Sequence, residues 1–235
     1  MNQPTIQRKI MRRLEAWPGF QAVKTALVDV PGLEVYLSGG AIRDVLLGNR
    51  RPIKDFDLFV DGPRVDRFFQ RLETAGRMES NPYGSPRWFP APDGAPYADL
   101  IPVRRFSNGL WQCRNILDVL NQFDCTVNAA AIDLRTGAFL DPQNACRDAA
   151  RRMMHAIRLD LPATPVRPGA RVTHAGGLWH RLIHYACSLG LEIEPQTARW
   201  LLEHRPPQAE SRRFSELFFV PRLSRWPATG AVGAK

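Results

Sequence analysis

The sequence SGGAIRD at residues 38–44, followed by KDFDL at residues 54–58, decides the fold of this chain. The second segment alternates polar and apolar residues, as a half-buried strand does. In a strand, residues i and i+2 project from the same face, so Asp55 and Asp57 point together while Phe56 points into the core. Two carboxylates this close repel each other unless a cation lies between them, and oxygen ligands with open positions suit Mg²⁺. Taken alone, however, an Asp-x-Asp pair is usually a solvated strand face.

The first segment lies between an apolar run at residues 33–37, which predicts a strand, and a predicted helix. Gly39 and Gly40 let backbone N–H groups approach a phosphate, and the helix N-terminus adds a partial positive charge. Arg43 can bind a phosphate or a sugar, and Asp44 can hold Arg43 in place. A glycine turn of this kind, followed so soon by paired carboxylates, favours a nucleotide site over a plain surface turn.

Composition excludes several classes of protein. The chain has 235 residues, of which 44% are hydrophobic, so it is not a disordered chain. No apolar run is long enough for a transmembrane helix, and the first residues lack the apolar segment of a signal peptide. The four cysteines are scattered and form no Cys-x-x-Cys pair, which argues against a zinc site or a disulfide framework. We expect no membrane association and a reducing, cytoplasmic location.

The positive charge of the chain is unevenly distributed. The formal net charge is +9, with 18 basic and 16 acidic residues in 1–142 but 14 basic and 7 acidic residues in 143–235. A basic C-terminal part indicates an acidic partner such as nucleic acid. The alternative is a general preference for arginine, since only four of the 32 basic residues are lysine.

The pattern of elements predicts a molecule in two parts. Residues 1–142 form a mixed α/β head with a helical N-terminal extension over residues 1–30, residues 143–220 form a basic helical neck, and residues 221–235 form a loose tail. The predicted helices cover residues 6–29 (interrupted at Pro18-Gly19), 41–47, 65–75, 116–120, the stretch from 145 up to a proline-rich segment at 161–168, 178–189 and 195–203. The predicted strands cover residues 33–37, 55–60, 87–89, 97–101, 126–133 and 139–140, with a turn at Pro92-Asp93-Gly94.

In order along the chain, these motifs resemble the head domain of class II CCA-adding enzymes and bacterial poly(A) polymerases, within the DNA polymerase β-like nucleotidyltransferase superfamily. The resemblance is nearly continuous over residues 33–160. It rests on residues 39–44, Gly48, residues 54–58, residues 99–104 (DLIPVR), residues 124–129 (DCTVNA), Gly137, Asp141-Pro142 and the helix at residues 148–157.

The resemblance implies an α+β fold, with a small mixed β-sheet flanked by helices and followed by a short helical neck. It implies that a nucleoside monophosphate passes from an NTP, such as ATP or CTP, to a 3′-hydroxyl of RNA, tRNA among the candidates, with release of pyrophosphate. Two Mg²⁺ ions would serve this in-line displacement. The oligomeric state stays open.

Residue by residue, the resemblance implies that Asp55, Asp57 and Asp99 hold the metal ions, with Asp99 helping to activate the attacking hydroxyl. The residues implied in nucleotide binding are Gly39, Gly40, Arg43, Asp44, Arg104, Asp124 and Asn128.

Three departures from the family pattern argue against ordered C-C-A addition. Gln122 and Phe123 stand where the family has two arginines, and His174, Ala175 and Leu178 stand where it has the Glu, Asp and Arg that select the base. The family also continues into body and tail domains, whereas this chain ends at residue 235 and is expected to be a divergent, truncated relative. Two alternatives stay open: an inactive RNA-binding module, and nucleotide transfer to a hydroxyl other than that of RNA.

Overall fold

Seven strands form one mixed sheet. The chain is described by a computed structural model over residues 2–81, 84–90, 94 and 96–223. The strands are β1 (Glu34–Ser38), β2 (Asp55–Asp61), β3 (Gly76–Ser80), β4 (Pro86–Pro90), β5 (Tyr97–Pro102), β6 (Ala131–Asp133) and β7 (Phe139–Leu140). Their order across the sheet is β3-β4-β5-β2-β1-β6-β7. Among the described strands of this sheet, β2 and β5 pair in parallel and the other neighbours pair antiparallel. A parallel pair within a mostly antiparallel sheet places the N-terminal ends of both strands at one edge.

Helices cover the sheet and continue beyond it. They are α1 (Gln3–Glu15), α2 (Phe20–Asp29), α3 (Gly40–Leu46), α4 (Val65–Glu73), α5 (Ile116–Leu120), α6 (Ala145–Arg151), α7 (His174–Leu189), α8 (Pro195–Glu203) and α9 (Gln208–Leu217). Two further short strands, β8 (Met153–Met154) and β9 (Glu192–Ile193), pair in parallel with each other. The fold is therefore α+β with a mixed sheet flanked by helices, and the predicted fold class is confirmed.

The N-terminal helices pack behind the strand that carries the two carboxylates. In α1, Ile6, Ile10 and Leu14 recur at helical spacing and are buried. Trp17, in the break between α1 and α2, stacks on Phe56 of β2 with ring centroids 4.3 Å apart. Its indole N–H also donates to a backbone carbonyl at residue 96, with the two atoms 2.7 Å apart. The first thirty residues thus fix the back of β2.

The described residues form three apolar cores. The first lies between helices α1–α4 and one face of the sheet. A second joins Cys125 and Val127 to α7 and α8, with Trp179 and Trp200 among its buried side chains. The third lies between α5 and the other face of the sheet, to which Phe59 of β2 belongs. Because the second core includes residues from both halves of the sequence, the C-terminal helices are anchored to the segment around residues 124–128.

The predicted strand at residues 126–133 is wrong over its first half. Thr126–Asn128 form a 3₁₀ turn, and only Ala131–Asp133 are in a strand. The cause is Asp124, whose Oδ1 accepts hydrogen bonds from the Cys125 backbone N–H and from Asn128 Nδ2, both at 2.8 Å. Side chains that bond the nearby chain in this way compete with a strand ladder.

The C-terminal helices also differ from the prediction. α6 ends at Arg151, because Arg152 adopts a left-handed conformation with φ +52° and β8 follows it. α7 begins at His174, four residues before the predicted start, since the Thr173 hydroxyl caps it by accepting from the Gly176 N–H. The sequence missed β3 and α9 altogether. Pro92 and Asp93 of the predicted turn, and most of the predicted tail, lie outside the described residues. Among the described helices, none is long and apolar enough to cross a membrane.

Candidate active site

The sheet register places the acidic residues in adjacent rows. Asp57 on β2 is the partner of Asp99 on β5, and Asp55 is the partner of Tyr97. Across the next, antiparallel pair, Asp99 is the partner of Arg87 on β4. Directly opposed residues project from the same face of a sheet within contact distance. Three carboxylates and one guanidinium therefore meet at one end of the β2–β5 pair.

Asp57 is the carboxylate that the surrounding protein leaves unbonded. Among the described residues no group donates a hydrogen bond to it, and its Oδ2 lies so close to Gly39 that a Cβ there would overlap it. Gly39 precedes α3 with φ +71°, a conformation that glycine adopts readily. Burial, followed by the charges of Asp55 and Asp99, raises the pKa of Asp57 to about 7. A desolvated carboxylate beside two others, without a protein partner, is a fitting ligand for a divalent cation.

The other two carboxylates have partners. Asp55 Oδ2 accepts from the Tyr97 hydroxyl at 3.2 Å. Asp99 is gripped at both oxygens by Arg87, with Nε 2.8 Å from Oδ1 and Nη2 3.0 Å from Oδ2. Across the part of the chain that the structure describes, no group of three or more His, Cys, Asp or Glu side chains is placed to hold a metal ion. The donors that fit Mg²⁺ in this arrangement are thus the oxygens of Asp55 and Asp57.

A second set of polar side chains runs from α3 to α7. Arg43 Nη1 donates to Asn128 Oδ1 at 3.2 Å, and Arg43 also forms an ion pair with Asp44 at 3.0 Å. Asn128 Nδ2 donates to Asp124 Oδ1, and the Arg181 guanidinium donates to the other oxygen, Nη2 lying 2.7 Å from Oδ2. A continuous chain of contacts therefore links the helix after the glycine turn to α7.

Tyr185 contacts both arginines of this hydrogen-bond network. Its ring lies under the Arg43 guanidinium at 5.2 Å and under the Arg181 guanidinium at 5.5 Å. Burial raises the pKa of Asp124, but Arg181 and the hydrogen bonds from Asn128 and Cys125 outweigh it and bring that pKa below its ordinary value. The charges of Arg43 and Arg181 also act to lower the pKa of Asp57, but burial and the two neighbouring carboxylates outweigh them. Two cations therefore lie within electrostatic reach of a carboxylate that accepts no hydrogen bond from the described residues.

The structure does not bring every predicted residue to this place. Gly39, Gly40, Arg43, Asp44, Asp124 and Asn128 gather near the carboxylates, whereas Arg104 lies elsewhere. Arg104 pairs with Asp61 at 3.2 Å, at the far end of β2, and its side chain is 66% exposed. At about 3.3 Å per residue, the length of β2 separates Arg104 from Asp55 by roughly 20 Å. The resemblance implied a place for Arg104 among the nucleotide-binding residues, but the structure places it at the opposite end of the sheet.

Sequence reasoning missed Arg87, Tyr97, Arg181 and Tyr185 as members of the site. The spacing of Arg181 and Tyr185, one helical turn apart on α7, is a signal that they share a face. Arg87 gives no such signal, because its contact with Asp99 depends on strand register.

The two residues that replace the arginines expected before Asp124 belong to the core. Gln122 is buried and donates to the backbone carbonyl of Trp111 at 2.7 Å. Phe123 packs against Phe59 and Phe106. Neither side chain points to the carboxylates, so Arg181 supplies the guanidinium that Asp124 contacts.

The start of α7, where the family carries its base-selecting side chains, is closed by another helix. Glu210 of α9 accepts hydrogen bonds from both the backbone N–H and the hydroxyl of Thr173, each at 2.7 Å. Its carboxylate lies against Gly176 so closely that a Cβ there would overlap it. Leu178 is buried in the second core. This helix start therefore presents neither a carboxylate nor a guanidinium of its own in the aligned positions.

Comparisons with known proteins identify relatives in sequence and in fold. No family model matches the chain. The multifunctional CCA protein of Xanthomonas oryzae pv. oryzae is 32% identical over 180 residues, covering 73% of this chain and 40% of that protein. The same protein of Actinobacillus pleuropneumoniae is 29% identical over 178 residues, covering 73% of this chain and 39% of that protein. This chain thus spans about two fifths of the length of these curated relatives.

Solved structures with the same fold are CCA-adding enzymes. A CCA-adding enzyme in an apo form superposes with a TM-score of 0.59 at 21% identity, covering 84% of this chain and 46% of that one. A tRNA nucleotidyltransferase complexed with a primer tRNA and an incoming ATP analog gives 0.58 at 19% identity, covering 83% and 55%. The Thermotoga maritima CCA-adding enzyme complexed with tRNA gives 0.55 at 21% identity, covering 81% and 44%. In sequence and in fold the chain resembles these proteins, as the motifs predicted.

Proposed function

We propose that this chain, a divergent relative of CCA-adding enzymes in sequence and fold, is a nucleotidyltransferase that adds a nucleoside monophosphate to the 3′-hydroxyl of an RNA. The observation that carries the proposal is the pairing of Asp55 and Asp57 on one strand face, with the Asp57 carboxylate set against Gly39 and unbonded by the described protein. Such an arrangement is costly without a cation, since like charges are held together in a partly desolvated place.

Asp55 and Asp57 would hold Mg²⁺, with Asp99 beside them. Bound Mg²⁺, two ions as the resemblance implies, would polarise the α-phosphate and neutralise the charge that develops during in-line displacement. The Asp99 carboxylate lies one strand away from Asp57 and is placed to accept a proton from an attacking hydroxyl once Arg87 releases it. The pyrophosphate leaves with the bonding electron pair of the broken P–O bond.

Arg43 and Arg181 would bind the triphosphate. Both guanidiniums are held against the Tyr185 ring, and both lie near enough to Asp57 for their charges to lower its pKa. Planar guanidiniums suit phosphate oxygens because they donate two parallel hydrogen bonds. Asn128, held between Arg43 and Asp124, would contact the sugar.

An RNA acceptor is supported by the surface of the C-terminal part. Sequence-independent binding of a nucleic acid depends on arginine and lysine contacts with phosphates. The exposed arginines of residues 143–223 are Arg147, Arg151, Arg152, Arg167, Arg171, Arg199, Arg205, Arg212 and Arg222. The start of α7 lacks the side chains that select the base in the family that the chain resembles. We therefore expect the incoming nucleotide to be selected differently from an enzyme that adds C, C and A in order.

One observation favours a second function, an RNA-binding module without transferase activity. The Arg87–Asp99 ion pair neutralises the third carboxylate and gives the acidic end of the sheet an internal cation. If Arg87 never releases Asp99, the head is a structural support for the basic C-terminal part.

The test is incorporation of label from α-³²P-ATP and, separately, α-³²P-CTP into a short RNA in the presence of Mg²⁺. We expect labelled RNA that is longer by one or more nucleotides, and no labelling of the same RNA with a 3′-deoxy end. Replacing both aspartates, Asp55→Asn with Asp57→Asn, should lower the rate by roughly 10³-fold or more, as for loss of a metal site.

The matched control is Asp66→Asn on α4, which removes an exposed carboxylate and should leave the rate unchanged. Failure of the wild-type chain to label any RNA, or full activity in the double variant, would contradict the proposal. RNA binding without Mg²⁺-dependent NTP binding in calorimetry would favour the binding module. Labelling of another component in a cell extract would favour a different hydroxyl acceptor.

A further inference from the structure

Arg87 occupies the position in the acidic cluster where a cation would bind Asp99. The row that runs across three strands reads Arg87, Asp99, Asp57, with each residue the register partner of the next. Both Asp99 oxygens accept hydrogen bonds from the guanidinium, at 2.8 and 3.0 Å. Bidentate pairing of this kind uses the same oxygens that a divalent cation would use.

The Arg87 side chain is held from a second direction. Its guanidinium lies over the Tyr97 ring at 4.1 Å, and the Tyr97 hydroxyl donates to Asp55. The contact with the Tyr97 ring and the ion pair with Asp99 together hold the Arg87 guanidinium in one place. Arg87 is therefore not a freely moving surface arginine. The ion pair is only partly exposed, at 23% for Arg87 and 13% for Asp99.

We propose that Arg87 is a positioning residue that acts through Asp99: it withholds this carboxylate from the metal until the guanidinium moves away. This inference rests on the proposed metal site at Asp55 and Asp57. In the resting chain those two aspartates alone set the affinity for a divalent cation, and Arg87 competes with the cation for the third.

The experiment measures Mn²⁺ affinity directly, by the electron paramagnetic resonance signal of free Mn²⁺ titrated with the purified full chain in the absence of nucleotide. Arg87→Met should tighten Mn²⁺ binding by about tenfold or more, the size of effect that groups next to metal ligands have. Arg87→Lys, which keeps the charge but not the two-pronged contact, should fall between Arg87→Met and the wild type.

Asp99→Asn separates competition for Asp99 from the general effect of a nearby charge. With Arg87 present, Asp99→Asn should change Mn²⁺ affinity by less than about threefold, because Asp99 is already engaged. When Arg87→Met is added to Asp99→Asn, most of the gain should disappear. The control Arg71→Met removes a cation of α4, where Arg71 pairs with Asp29 at 3.4 Å, and should change the affinity by less than about twofold.

Three results would overturn the inference: an unchanged affinity in Arg87→Met, an equal gain in the presence and absence of Asp99, or a large loss in Asp99→Asn alone. The last result can be obtained even if the Arg87 variants do not fold. Failure of this inference can be told apart from failure of the proposed function. If the wild-type chain labels RNA with Mg²⁺ but any of these three results is found, the proposed function stands and the role of Arg87 is wrong. No Mn²⁺ binding by any variant overturns the metal site itself together with the inference.

Discussion

The Arg181 guanidinium and the Asp124 carboxylate form an ion pair, with Nη2 2.7 Å from Oδ2, that ties α7 to the turn after α5. Asp124 is almost fully buried at 7% exposure, whereas Arg181 is 35% exposed. The pair therefore brings one cation from the C-terminal helices to the edge of the acidic site. Its loss tests whether the two parts of the chain cooperate.

Arg181→Met should lower both stability and NTP affinity. It leaves the buried Asp124 charge without its cation, which costs about 3 kcal/mol in comparable buried pairs. Urea unfolding measures the free-energy change, and calorimetry measures NTP binding. Arg199→Met, an exposed arginine on α8, is the control and should change the free energy by less than about 0.5 kcal/mol. Equal effects of the two variants would contradict the interpretation.

Acid should weaken the same ion pair. The pKa of Asp124 lies below its ordinary value in the folded chain, so the unfolded chain binds the proton first as the pH falls. The stability contributed by Asp124 is fully present above about pH 4 and is lost below it. The free energy of unfolding of wild type minus that of Asp124→Asn should therefore shrink as the pH falls below about 4. If the difference between the two chains does not vary with pH, Asp124 does not stabilise the fold through its ionised carboxylate.

Asp57 should have the opposite pH dependence. In the folded, metal-free chain, burial and the neighbouring carboxylates raise the pKa of Asp57 to about 7. The experiment is therefore done in EDTA, which removes metal ions. The folded chain then holds the extra proton, so stability falls as the pH rises from about 4 to about 7. Asp57→Asn removes this loss and should stabilise the metal-free chain at pH 8 by about 2–4 kcal/mol, as measured by urea unfolding. A destabilised Asp57→Asn chain at that pH would show that the carboxylate is compensated by other groups.

Gly39 and Gly48 offer a matched pair of substitutions. Both have φ +71°, but a Cβ at Gly39 would overlap Asp57, whereas a Cβ at Gly48 would meet no atom within 4 Å. Gly48→Ala should cost about 1–2 kcal/mol from backbone strain alone. Gly39→Ala should cost more in thermal unfolding and should also abolish Mn²⁺ binding, because Asp57 must move. Retention of Mn²⁺ binding in Gly39→Ala would separate Asp57 from the metal.

Local rules of the sequence were enough for much of the fold and part of the site. Alternation placed Asp55 and Asp57 on one face with Phe56 buried between them, and α8 begins and ends where its pattern predicts. The strand predicted at residues 126–133 failed in its first half because side-chain hydrogen bonds from Asp124 and Asn128 turn the chain. Such bonds depend on the tertiary site that they help to build.

Contacts made through register or across the two parts of the chain could not be predicted. Arg87 meets Asp99 only because β4 pairs with β5 in one register. Arg181 meets Asp124 only because the second core docks α7 against the segment around Cys125. Arg87 and Asp99 are 12 residues apart and Arg181 and Asp124 are 57 residues apart, and no periodicity links either pair. The sequence predicted the carboxylates, the glycine turn and Arg43, and the structure adds the guanidiniums of Arg87 and Arg181.

The stacking of Trp17 on Phe56 has a consequence for the order of folding. Synthesis proceeds from the N-terminus, so α1 and α2 leave the ribosome before β2. The apolar stripe of α1 and the Trp17 ring then have no sheet to cover until β1 and β2 have emerged. The strand with Asp55 and Asp57 gains its apolar backing at that moment, so early arrest of translation should leave an aggregation-prone helix pair rather than a partly folded sheet.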